Sequence, residues 1–468
     1  MSARAPDAPP AASSERDAGG AAATPAEIAK LAEKLRASCE HLRGRTAPDI
    51  ARALGAAGAR FLTPSDELRR EALAGLPASS GLSDASSRAL LDAMAADWTE
   101  ARLLRLLAVE LGEPCPLDGF VERAGRRSLA VGPSLCVQVA AGGVPGVGVT
   151  AVLRSLLVKA PTLLKAARGD ALLPALFARA LAEVDEALAA SLAVRYWPGD
   201  SPAHADAALA LADVVVAYGS DEAVEAVRAR APVTARFVAY HHRVSVGLVG
   251  RDALAPDAID AAAADVAAAV SAYDQRGCVS PQIVYVEEGG ACPPAELAAR
   301  LAGAMERAEA HRPTGVLDAP SASRLQQARG TAEMIAGGGG GSLYHGGAAA
   351  WTVVWEPGDA PETPTAGRFV RVRPIADAAA LTAVLRPFAA HLQTVGVAGL
   401  GRRLDDVARA LGEIGVSRVA PFQAVPYPPP WWHHDGRGPL IDLVRWVDVE
   451  RTADERPTPP ASAAPLAR

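Results

Sequence analysis

The feature that most constrains this chain is an alternation of apolar runs that begins at Ser134. Residues 134–139 form a short buried-strand pattern that runs into Ala140-Ala141-Gly142-Gly143-Val144-Pro145-Gly146. A helix-like run follows at 149–157, then a short strand at 161–165 and a helix over about 172–190. A Val-rich strand at 212–217 then ends in Tyr218-Gly219-Ser220 and opens another helix. Strands alternating with helices predict βαβ units and a mostly parallel sheet. Ligands of such sheets sit at the carboxyl ends of the strands, where both glycine turns fall. Glycine there lets a backbone come close to a phosphate. Neither turn matches GxGxxG or a Walker loop, and the run Gly337 to Gly341 lacks the Lys-Ser/Thr pair of a phosphate loop. It reads as a flexible loop.

Composition narrows the function. At 468 residues the chain can hold roughly two or three domains with real cores. Half of it is hydrophobic but only 4% is aromatic, so Ala, Val and Leu build the interior. A net charge of −6 without a basic block argues against a nucleic-acid surface. Five scattered cysteines (Cys39, Cys115, Cys136, Cys278, Cys292) show no CxxC or metal-like spacing, which predicts thiols in a reducing cytosol. No signal-peptide core and no membrane-length apolar run occur, so the expectation is a soluble cytoplasmic protein. Residues 1–25 and 457–468 read as disordered tails, and 26–112 as a helical layer. Residues 368–373 read as a strand with Arg371 and Arg373 on a solvated face. His433-His434-Asp435, after Trp431-Trp432, reads as a structural or substrate-tunnel segment, with no metal site expected.

The chemistry-bearing segment is Tyr273-Asp274-Gln275-Arg276-Gly277-Cys278-Val279-Ser280-Pro281-Gln282. It sets a lone cysteine on a turn between a helical run at 261–273 and a strand at 283–287, with Arg276 placed to favour its thiolate. A thiolate attacks carbonyl carbon, which suits thioester or aldehyde chemistry. On this segment alone a small buried apolar cysteine is the favoured reading, and the case for catalysis rests on the segments upstream.

Taken in order, residues 142–147, 217–222, 236–246 and 273–282 resemble the aldehyde dehydrogenase superfamily. They are more similar still to its LuxC-like long-chain fatty-acyl-CoA reductases, over residues 131–449. The resemblance implies an α/β fold of aldehyde-dehydrogenase type. Residues 26–250 would hold the helical layer and a Rossmann-type cofactor domain, 251–430 the catalytic domain, and 431–456 a C-terminal arm of a homo-oligomer. It implies Cys278 as nucleophile, Lys165 at the adenosine ribose of a nicotinamide cofactor, and Gly219 and Ser220 beside its phosphates and nicotinamide. Arg168 stands where NAD-preferring relatives carry a Glu; a guanidinium there can pair with a 2′-phosphate, which favours NADPH. A solvated surface arginine is the alternative.

His242, or its neighbour His241, would protonate a departing thiolate or the nascent aldehyde. Residues 239–243 lack the general-base Glu of hydrolytic relatives, as suits a reductase whose acyl-enzyme must escape water. Gly143 replaces the family's oxyanion Asn, a loss that typically costs about a hundred- to a thousandfold in rate. The implied reaction is NADPH-dependent reduction of a long-chain acyl-CoA to the aldehyde through an S-acyl cysteine. Alternatives are an oxidising aldehyde dehydrogenase, a reductase fed by an acyl carrier or acyl-protein synthetase, and a non-catalytic acyl-binding protein.

Overall fold

A computed structural model describes residues 23–347, 350–358, 365 and 367–450. Of the tails expected at 1–25 and 457–468, only 23–25 fall in this range, as do 431–450 of the expected arm. Thr24 caps the first helix, Pro25–Ala37, through a capping box with Glu27. Further helices at Ala47–Ala59, Glu67–Ser80 and Asp84–Asp97 start on Thr46, Asp66 and Ser83, whose side chains each accept a backbone N–H. Glu100–Leu111 completes the layer. Its core is an aromatic cluster in which Trp98 meets Phe61 edge-on at 5.5 Å and Phe177 at 6.0 Å.

Strands β1 (Val121–Arg123) and β2 (Arg126–Val131) form an antiparallel pair. The alternation read from the sequence then becomes β3 (Cys136–Val139), β4 (Thr162–Lys165), β5 (Leu192–Arg195), β6 (Val214–Tyr218) and β7 (Arg236–Tyr240). They make a parallel sheet in the order β5-β4-β3-β6-β7. β3 and β6 are central, and their near-continuous apolar runs are what burial on both faces demands. The helix expected over 172–190 divides at Asp185, an extended residue that caps Glu186–Ala189 and pairs with Arg45 at 2.7 Å.

A second sheet holds β8 (Val244–Val249), β9 (Pro281–Glu287), β10 (Ser342–His345), β11 (Thr352–Trp355), β12 (Phe369–Ile375), β13 (Leu392–Ala398) and β14 (Arg418–Pro421). Their order is β10-β11-β12-β9-β8-β13-β14, parallel except for β10. The chain therefore crosses between sheets at His241–Arg243, earlier than the boundary at 250 that the sequence suggested. β15 (Arg445–Val449) returns to pair with β2.

The solvated face expected on β12 is absent. β12 lies inside the second sheet with both faces covered, and Arg371 and Arg373 are only 7% and 4% exposed. They share the buried carboxylate of Glu356, one arginine on each oxygen. Neither guanidinium is presented to a ligand.

Candidate active site

The helix leading to the cysteine, Ile259–Ser271, stops two residues before the expected end. Tyr273, Asp274 and Gln275 then all adopt left-handed backbone, with φ of 53°, 49° and 62°. Three such residues in a row cost about 1–3 kcal/mol each unless the surroundings enforce them. Here they do. Arg368, fully buried, holds the equally buried Asp274 at 2.8 Å, and Asp274 also accepts the Gly315 N–H. Gln275 donates to the Pro281 and Phe369 carbonyls and accepts the Phe369 N–H. The Tyr273 hydroxyl donates to the Pro426 carbonyl. This triple anchor turns the chain sharply and delivers Gly277 and Cys278 to a fixed place.

Arg276 does not serve the thiol. Its guanidinium reaches away, to the Ser80 carbonyl in the helical layer and the Val316 carbonyl. The cation within electrostatic reach of Cys278 is Arg418 of β14, a residue the sequence did not single out. The remaining contacts come from β8 and β13, whose registers slip between Ser245 and Val246 and between Leu392 and Val395. Such irregularities re-aim side chains beside active sites. Ser245 Oγ donates to the Cys278 carbonyl at 2.6 Å and accepts the Thr394 N–H at 3.2 Å, bracing the cysteine from beneath.

Cys278 is exposed, unlike Cys39, Cys136 and Cys292, but its thiol is also ringed by protein, because the surface it presents lines a cavity. The geometry of a thiol at the wall of a cavity reconciles the two. Burial, then the Asp435 carboxylate, pushes its pKa up to about 11. The cavity, about 170 Å³, is mainly apolar, walled by Met94, Trp98, Leu103, Leu106, Val147 and Leu153 from the helical layer and the helix Val147–Leu157. Tyr273, Tyr427, the Pro428-Pro429-Pro430 run and Trp432 close the other side. His434 also lines it, stacked on Tyr240 at 4.3 Å and Trp432 at 4.7 Å. Burial lowers its pKa to about 3, so at neutral pH it is an uncharged imidazole.

His242 is elsewhere. It is not among the cavity-lining residues; its N–H donates to Asp221 and its carbonyl accepts from His391 Nδ1. Ligating atoms of Asp221, His241 and His391 gather within 4.8 Å of one another, at the crossing between the sheets. Gly143, in contrast, abuts the cysteine loop: a Cβ added there would sit 3.3 Å from the Arg276 carbonyl, two residues before Cys278.

The four cofactor candidates share one edge. Lys165 ends β4, and Gly219 and Ser220 follow β6, so both lie at the carboxyl end of the first sheet. Burial lowers the pKa of Lys165, whose ammonium lies 6.0 Å from the Tyr196 ring; Arg168 reaches the hydroxyl of the same tyrosine. Gly142 packs against Gly169, drawing the first glycine turn to this edge. Ser220 caps the helix Asp221–Arg228, whose first turn already carries Asp221 and Glu222. The acidic first turn makes that helix end unfavourable to an anion. Sequence reading missed Asp170, fully buried, whose two oxygens accept the Gly146 and Gly148 N–H groups at 2.8 Å each and so pin the start of the helix Val147–Leu157.

The three sheets in this arrangement make an aldehyde-dehydrogenase fold. Solved aldehyde dehydrogenases superpose accordingly. The Sinorhizobium meliloti NAD-dependent enzyme has a TM-score of 0.72 at 16% identity, covering 94% of this chain and 90% of that one. The Corynebacterium glutamicum NAD-dependent benzaldehyde dehydrogenase has 0.70 at 15%, covering 92% and 91%. The sequence profile of the family described as Acyl-CoA reductase (LuxC) matches residues 53–446, and the chain belongs to that family. Among curated relatives, the long-chain acyl-protein thioester reductase of Aliivibrio fischeri is 28% identical over 49% of this chain and 48% of its own length. Long-chain acyl-protein thioester reductase 2 of Photobacterium leiognathi is 32% identical over 32% and 31%. The chain thus matches half or less of these relatives' length. Among the described residues no helix is long and apolar enough to cross a membrane.

Proposed function

We propose that this protein reduces a long-chain fatty acyl thioester to the aldehyde, with Cys278 as nucleophile and NADPH as reductant. The observation that supports this most is Cys278 on the wall of an apolar cavity in a LuxC-family chain. The cavity holds the aliphatic chain and presents its thioester carbonyl to sulfur. Attack expels the donor thiol and leaves an S-acyl cysteine; the departing thiolate takes a proton, and neutral His434 in the cavity wall can relay one. When bound, NADPH supplies the hydride. Lys165, Arg168, Gly219 and Ser220 would hold it: the two cations beside Tyr196 fit a ribose carrying a 2′-phosphate. Residues 239–243 hold no carboxylate where hydrolytic relatives carry their general-base Glu, which suits a reductase. Gly143 supplies backbone only, beside the cysteine loop.

The donor is an acyl-protein or an acyl-CoA; the names of the curated relatives favour the first and the family description the second, and an acyl-protein donor would call for an acyl-protein synthetase to load it. Both present the same thioester to Cys278. A homo-oligomer belongs to this reading, and the edge strands β1 and β15 of the three-stranded sheet are its candidate contact. The test is NADPH oxidation with acyl-CoAs of increasing length and with an acylated protein thiol, for the wild type beside Cys278→Ala. Turnover that prefers long chains and vanishes in the variant supports the reading; turnover that survives Cys278→Ala refutes it.

A further inference from the structure

One cluster of ligating side chains takes no part in the proposed reduction. Asp221 opens the helix that follows β6, His241 follows β7, and His391 immediately precedes β13. Segments far apart in sequence thus meet where the chain crosses from the first sheet to the second. His241 Nδ1 stands 3.4 Å from Asp221 Oδ1, and His391 Nδ1 stands 3.9 Å from Asp221 Oδ2. Both gaps are longer than a good hydrogen bond. They are close to the spacing of two ligands on one ion: bonds of about 2.0–2.2 Å at a tetrahedral angle put donor atoms roughly 3.3–3.6 Å apart. The ligating atoms of all three residues lie within 4.8 Å of one another, so even the widest pair closes with a shift of at most about 1.5 Å. The side chains of His241, His391 and Asp221 are 30%, 35% and 50% exposed, which leaves them free to make that shift and leaves an ion a way in.

We propose that Asp221, His241 and His391 bind a divalent transition ion of the zinc type, with water completing its shell. Two imidazoles and a carboxylate suit such an ion, whereas magnesium and calcium take all-oxygen sets. The outer contacts of a metal site are already in place. The His242 N–H donates to Asp221 Oδ1 at 3.2 Å and orients the carboxylate, as hydrogen bonds do for ligating carboxylates elsewhere. His391 Nδ1 lies 3.2 Å from the His242 carbonyl; the ion takes the place of the proton held between them, and the carbonyl of the exposed His242 turns to water. Arg243, the cation next along the chain, is engaged by Asp435 and the Ala390 carbonyl. The bound ion clasps the helix that follows Ser220, at the proposed cofactor edge, to the second sheet at β8 and β13. None of the three ligands lines the cysteine cavity, so the site is separate from it.

The experiment titrates Co²⁺, as a coloured stand-in for Zn²⁺, into the full chain after chelation and desalting. The expected result is a visible d–d absorption that saturates at about one ion per chain, without the thiolate charge-transfer band of a cysteine site, and that Zn²⁺ bleaches. Zn²⁺ should also raise the melting temperature, since the ion binds the folded chain. Asp221→Asn removes the anionic ligand but keeps an acceptor for the His242 N–H, and His391→Ala removes an imidazole from the surface. Each should weaken binding by more than the roughly tenfold to hundredfold that loss of an outer hydrogen-bond partner costs. Unfolding without metal shows that both variants fold, and Cys278→Ala should bind like the wild type. Absence of a saturable band, a thiolate band that vanishes in Cys278→Ala, or undiminished binding in Asp221→Asn and His391→Ala would overturn the proposal. The titration needs no turnover, so the proposed reductase can fail in its own assay while this result stands, and the reverse.

Discussion

The proposed cofactor edge and the cysteine cavity are built on different principles. At the edge, Lys165, Gly219 and Ser220 sit at the carboxyl ends of β4 and β6 in one parallel sheet, whose βαβ units fix their places. At the cavity, Cys278 owes its place to Arg368, Gln275's bonds to Phe369, Ser245 and the Pro-rich segment after Pro426, partners brought from far along the chain. The edge is a local product of the fold; the cavity is a convergence of distant segments, pinned by buried polar contacts that fail together. Damage at the edge should therefore alter binding alone, whereas damage to the cavity's anchors should cost stability and chemistry at once.

The sharpest break is Arg368→Met. It takes from the buried Asp274 its close cation and leaves only Arg276 at 3.8 Å, which costs about 3–5 kcal/mol. Thermal unfolding should fall steeply, and Cys278 alkylation should change in the same sample. Asp170→Ala should come next, because two backbone donors at the start of the helix Val147–Leu157 lose a buried carboxylate, at a cost of about 2–3 kcal/mol. Since that helix walls the cavity, activity should drop with the melting temperature. Arg168→Glu, on the exposed edge, should leave unfolding unchanged within about 0.5 kcal/mol. Its effect should be on cofactor choice, lowering kcat/KM for NADPH against NADH by roughly tenfold to a hundredfold. The smallest effect belongs to Leu103→Phe, which fills part of the cavity and should shift preference to shorter chains, with about 0.8 kcal/mol, or fourfold, for each methylene displaced.

The same contrast explains what could be read in advance. The strands at 134–139, 161–165 and 212–217 and the turns after them were legible because apolar runs and glycine punctuation are local signals. Cys278 stood out by its place between a helical run and a strand. Arg371 and Arg373 misled, because period-two spacing puts them on one face but does not tell whether that face is covered. Arg276 misled for a similar reason: nearness in sequence to Cys278 said nothing of where its long side chain would turn. Arg418 gave no sequence signal and Asp435 was read only as part of the His433-His434-Asp435 segment, since each acquires its meaning only when β14 and the C-terminal segment converge on the thiol.

The central claim is that Cys278 carries the acyl group. The most direct measurement incubates the full chain with a long-chain acyl thioester without cofactor, maps the added mass by peptide mass spectrometry, and then adds NADPH. The account predicts an acyl adduct on Cys278 alone, cleared on addition of NADPH with release of the aldehyde, and no adduct in Cys278→Ala. An adduct on another residue, or equal labelling of Cys278→Ala, would contradict it.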